Sequence, residues 1–183
     1  MAKPAPNRAK AETLSLRISP NLKLGLELLS RLEERSLTTE VEKALGELFD
    51  RTMVDVSYLG TGTVENNGRF EEVCFSELMA IIYSIDAPTR LMRTAVLLPR
   101  TLTQREIALL DLAYDEEQLF GDAPNYFSLN IGHEELLSEL TKEYCRYHQP
   151  LDLKALRRNW QTLNDAIDYA LDHGSYPEKI MLV

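Results

Sequence analysis

One stretch constrains the fold more than any other. Residues 12–51 read ETLSLRISPNLKLGLELLSRLEERSLTTEVEKALGELFDR, and the stretch begins with a strict alternation. Leu14, Leu16 and Ile18 fall on one side, Thr13, Ser15 and Arg17 on the other. That period predicts a strand with one buried and one free face. Two short helices should follow. Ser19 is placed to cap the first, and Pro20 suits its first turn, where a missing N–H costs nothing. Leu22, Leu26 and Leu29 make its apolar row, widened by Leu28 and Leu32. Residues 35–39 break the pattern with capping residues, and Thr39-x-x-Glu42 reads as a capping box. Val41, Ala44, Leu45, Leu48 and Phe49 mark the second helix. The predicted order is strand, helix, tight turn, helix.

A lone strand has no partner inside such a unit, and its unpaired backbone groups need one. The simplest partner is the same strand of a second copy, paired antiparallel across a two-fold axis. The apolar side would then rest on the four helices of the dimer. Thr13, Ser15 and Arg17 would face outward as a doubled polar ribbon. Such a ribbon fits the major groove of B-DNA, where arginine can bond guanine O6 and N7 together.

The run LSLRISPNL, with two helices joined by RSLTTEV, resembles the ribbon-helix-helix DNA-binding proteins, the group of the Arc and methionine repressors. The likeness covers about 40 residues, roughly a fifth of the chain. It implies that Thr13, Ser15 and Arg17 contact bases of double-stranded DNA. It also implies that Ser36, Thr38 and Thr39, at the start of the second helix, contact phosphate. Free amides and the helix dipole attract anions at such a position independently of any likeness. Many members of that family have glycine at the end of the first helix, where φ is positive. Here Glu34 stands there.

The net charge of −9 at first opposes DNA binding, but its distribution decides more than its total. Residues 1–24 carry five basic groups against one acidic, a net of +4. Residues 25–51 carry four against seven, and residues 52–183 carry 11 against 21. The positive charge therefore lies where the ribbon would face DNA. Residues 1–11, MAKPAPNRAKA, read as a disordered basic arm. Either Lys3, Arg8 and Lys10 follow the DNA backbone, or the segment is an ordinary ragged terminus.

Residues 52–183 read as one α+β domain for oligomerisation, partner binding or effector binding. Residues 53–58 alternate as a strand, and Gly60–Gly62 and Asn66–Gly68 supply turns. Phe75–Ile85 should be a buried helix, Thr94–Leu98 a core strand, and Tyr126–Ile131 another strand. A capping box at Thr103-x-x-Glu106 should open a helix reaching about Phe120. Further helices are expected from about His133 to Tyr147 and from about Asp152 to Asp172. The latter carries a 3,4-spaced seam of Leu153, Leu156, Trp160, Leu163, Ile167 and Ala170. That seam reads as core packing or as a second dimer contact. Residues 179–183 suggest a terminal strand.

Catalytic and metal signatures are sparse. His133-Glu134-Glu135 lacks the second histidine of a zinc protease. Cys145 and His148 sit three apart and offer two ligands where a site needs more. Asp111, Asp115, Glu116, Glu117 and Asp122 lack calcium-loop spacing. Arg157, Arg158 and Trp160 suggest an anion grip but do not share one helix face. No P-loop, dinucleotide fingerprint or nucleophile elbow is present. No run is long and apolar enough for a membrane span or a signal-peptide core, and two cysteines make no disulfide framework.

These observations predict a soluble, cytoplasmic, non-enzymatic protein without cofactor or metal. The expectation is a homodimeric transcriptional regulator, bacterial or from a mobile element, acting on DNA as single or paired dimers. The same module also serves plasmid-maintenance and conjugation proteins such as antitoxins, partition and relaxosome factors. An interaction module that only dimerises is the reading outside DNA binding.

Overall fold

The structure is a computed structural model that describes residues 15–55, 72–127 and 149–183. The chain is mixed and helix-rich, with one small antiparallel sheet among the described residues. It divides into two compact units, Met1–Thr52 and Met53–Val183.

In the first unit, helix α1 (Pro20–Leu32) packs on α2 (Leu37–Arg51). Ser19 caps α1 as its sequence predicts, its Oγ accepting from Leu22 N–H at 3.4 Å, with Pro20 in the first turn. The turn closes as the Arg35 N–H reaches back to the Ser30 carbonyl at 2.9 Å. This six-to-one bond is the signature of a helix end that passes through the left-handed region. Glu34 supplies that conformation, with φ at 53°, although it has a side chain. The capping box expected at Thr39 is a correction. The cap is Ser36, three residues earlier, whose Oγ accepts from Thr39 N–H at 3.1 Å, so Thr39 and Glu42 lie inside α2. Residues 15–19 form neither helix nor strand within one chain. Leu14 and Thr13 of the predicted strand lie outside the described residues.

In the second unit, β1 (Met53–Asp55) pairs antiparallel with β2 (Glu72–Cys74), Val54 opposite Val73. The turn sequences at 60–62 and 66–68 lie outside the described residues. Helix α3 (Phe75–Ile82) follows β2 directly, burying Leu78, Ile81 and Ile82. The strand expected at Thr94–Leu98 is instead the end of helix α4 (Ala87–Leu97). Asp86 caps it, accepting from Thr89 N–H at 3.1 Å, and Pro88 sits in its first turn. Leu91, Met92, Ala95 and Val96 then recur at helical spacing and are all buried. A short apolar run ending at proline cannot distinguish strand from helix by composition, and here the upstream cap decides.

Helix α5 (Gln104–Tyr114) opens on the predicted capping box. Thr103 Oγ1 accepts from Glu106 N–H, and Glu106 Oε2 accepts from Thr103 N–H at 2.7 Å. It stops at Tyr114, short of Phe120, and Glu117–Leu119 continues as a single 3-10 turn. Tyr126 and Phe127 are not in a strand, and the rest of that expected strand lies outside the described residues, as does the helix expected from His133. Helix α6 (Leu153–His173) runs between an Asp152 cap and Gly174, whose φ of 74° is the usual left-handed stop. It packs on α4 and α5, and the seam residues Leu153, Leu156, Leu163 and Ile167 are buried there.

Two polar devices tie this core together. Tyr126 Oη, fully buried, accepts from Leu151 N–H at 2.8 Å and donates to the Leu151 carbonyl at 3.0 Å. Arg93 donates to the Tyr126 carbonyl and to those of Ile81 and Tyr83, the latter two at the end of α3, where the helix leaves acceptors unpaired. The terminal strand expected at 179–183 is absent; those residues are irregular. Instead the buried Asn159 amide donates to the Val183 carbonyl at 2.9 Å and accepts from Val183 N–H at 2.7 Å, standing in for a neighbouring strand.

Candidate nucleic-acid interface

The residues singled out for DNA contact lie in the first unit. Ser15 and Arg17 are exposed on the non-helical lead into α1. Thr13, Lys3, Arg8 and Lys10 lie outside the described residues. Ser36, Thr38 and Thr39 are exposed around the first turn of α2. Ser36 Oγ meets Thr39 Oγ1 at 2.8 Å as well as the Thr39 amide, so two of the three hydroxyls are engaged locally. Glu40 N–H makes the first full helical bond, to the Ser36 carbonyl. The Leu37 and Thr38 amides precede it and have no intrahelical acceptor, which is the arrangement that suits an anion.

The unit's apolar faces are open. Leu22, Leu24, Leu28, Leu29, Leu32, Leu45 and Leu48 are exposed, Leu32 by 80%. Among its described residues the sole buried one is Glu40, 3% exposed. Arg35 Nη1 stands 3.8 Å from Glu40 Oε1, and its Nη2 stands 3.9 Å from Glu33. Glu40 Oε1 has no hydrogen-bond partner among the described residues. The one signal for this burial in the sequence is Arg35, five residues before Glu40.

The second unit gathers its charges differently. Arg157 Nε donates to Asp86 Oδ2 at 2.9 Å and its Nη2 to Thr89 Oγ1 at 2.9 Å. That engagement, with Trp160 half-buried, removes the anion grip considered for Arg157, Arg158 and Trp160. Partial burial raises the Asp86 pKa, but hydrogen bonds from Thr89 and Arg157 outweigh it and hold the carboxyl below its ordinary value. Asp111, Asp115, Glu117 and Asp122 are exposed, and no group of three metal-ligating side chains occurs among the described residues. Cys145, His148 and His133 lie outside them. Cys74 Sγ lies 3.1 Å from Ser76 Oγ. No helix among the described residues is long and apolar enough to cross a membrane.

Comparison with protein-family models, with curated proteins and with solved structures finds no match to this chain.

Proposed function

We propose that the chain is a sequence-specific DNA-binding transcriptional regulator whose first unit works as a ribbon-helix-helix dimer. The observation that carries the reading is the open apolar face of that unit. Two amphipathic helices present eight exposed leucines, Leu37 among them, and their described residues bury no apolar side chain. Burying one leucine is worth about 1.5–3 kcal/mol, so a hairpin this open has little of its own to hold it. A second copy supplies the missing surface. Pairing the two 13–18 segments satisfies their backbone and sets the leucines of both chains against one another.

The polar side of that ribbon then carries Thr13, Ser15 and Arg17 twice. Arg17 is free to reach guanine in the major groove, and the Ser36–Thr39 turn receives a phosphate that fixes the register. The net positive charge of residues 1–24 lies on the same side in sequence, while the acidic remainder discourages non-specific attachment.

The test is selection of binding sites from a random duplex pool by the full chain. The reading predicts enrichment of a motif with two symmetry-related half-sites. Arg17→Ala should remove that enrichment, a loss of about 1–3 kcal/mol of base discrimination per contact, while dimers persist. Salt-insensitive or absent DNA affinity in the unmodified protein would favour a module that only dimerises.

A further inference from the structure

One stripe of α6 faces the irregular segment that follows it, and a cleft of about 260 Å³ opens between them. Thr162, Asp165, Ala166 and Tyr169, spaced as one helix face, line the first wall, and Pro177, Lys179, Ile180 and Met181 line the other. Both walls are held in place. The Asn159 amide grips both backbone groups of Val183. The Tyr169 ring stacks on His173, centroids 4.0 Å apart and planes 11° from parallel.

The cleft has opposite charges on opposite walls. Asp165 and Lys179 both line it, yet neither enters an ion pair among the described residues. Asp165 is oriented by Gln161, whose Nε2 donates to Oδ1 at 2.7 Å, leaving Oδ2 for another donor. Ala166, Ile180, Met181 and Tyr169 line the same cleft with apolar surface. The volume falls just below the usual range of about 300–1,000 Å³ for larger ligands and suits something smaller.

We infer that this cleft is a binding site for a small zwitterion of amino-acid size. Its ammonium meets Asp165, its carboxylate meets Lys179, and its side chain lies on the apolar floor. A ligand of one charge engages one wall alone, so full affinity needs both charges. The inference stands apart from the DNA-binding reading, because the cleft lies wholly within the second unit.

The experiment is titration of the full chain with each common L-amino acid, followed by backbone amide NMR shifts and calorimetry. At least one amino acid should saturably shift the amides of residues 162–169 and 178–181. Asp165→Asn and Lys179→Met, both at exposed positions, should each weaken it at least about tenfold with the amide spectrum otherwise preserved. Its amine-only and carboxylate-only analogues should bind weakly by a similar factor. Absence of saturable shifts with every amino acid overturns the inference. So does binding that survives both substitutions, or that the single-charge analogues reproduce.

Discussion

Both units are built from amphipathic helices, yet they finish their cores in different ways. In the second, α6 lays a seam against α4 and α5, and Leu78, Met92, Leu119 and Leu163 are sealed within one chain. In the first, α1 and α2 carry comparable leucine rows that stay open to solvent, and the one buried group among the described residues is a carboxylate. Amphipathic spacing therefore shows that a face must be covered, but not what covers it. The second unit covers its own. We read the first as covered by a second copy.

The contrast can be broken most forcefully at its two leucine rows. Leu163→Ala in α6 should lower stability by about 2–5 kcal/mol through the cavity it leaves, by the same amount at every protein concentration. Leu29→Glu in α1 should cost the dimer about 3 kcal/mol or more, with a loss that grows on dilution. For an ordinary exposed leucine the cost would stay within about 0.5 kcal/mol. Thermal unfolding across a dilution series separates the two behaviours.

The second unit's self-sufficiency also rests on the Asp86 junction between α3, α4 and α6. Asp86→Ala removes the α4 cap and the Arg157 partner and should cost about 1–2 kcal/mol at neutral pH. The folded-state pKa of Asp86 lies below its ordinary 3.8. Its contribution is therefore complete above about that pH and is lost as pH falls through the lower folded value. Denaturant titrations should show the gap between wild type and variant narrowing only below about pH 4. A gap unchanged down to pH 2 would assign the loss to the neutral cap alone.

The smallest effect is expected where α1 turns into α2. Glu34 holds φ at 53° against the preference of an L-residue. Glu34→Gly should therefore stabilise the first unit by about 1 kcal/mol, less the entropy glycine adds to the unfolded chain. A decrease in melting temperature would mean that the Glu34 side chain contributes more than its backbone costs.

Local signals carried much of this fold into the sequence. Ser19–Pro20, the Thr103–Glu106 box, and Asp152 with Gly174 each mark a helix end through groups only a few residues apart, so the sequence contains the whole interaction. The Thr94–Leu98 run misled because its evidence for a helix lies upstream, in Asp86 and Pro88. The Arg93 clasp on three carbonyls, and the Asn159 clasp on Val183, join residues that only the tertiary path brings together. For the candidate interface, alternation alone nominated Ser15 and Arg17, and both are exposed. The charged cleft beside α6 had no sequence signature, because its second wall lies across a turn of irregular chain.

The most direct test of the central claim is sedimentation equilibrium of the full chain beside Leu29→Glu. A second copy covering α1 and α2 predicts a reversible dimer for the unmodified protein and a monomer for the variant. A protein that stays monomeric at every concentration, or a dimer indifferent to Leu29→Glu, would contradict it.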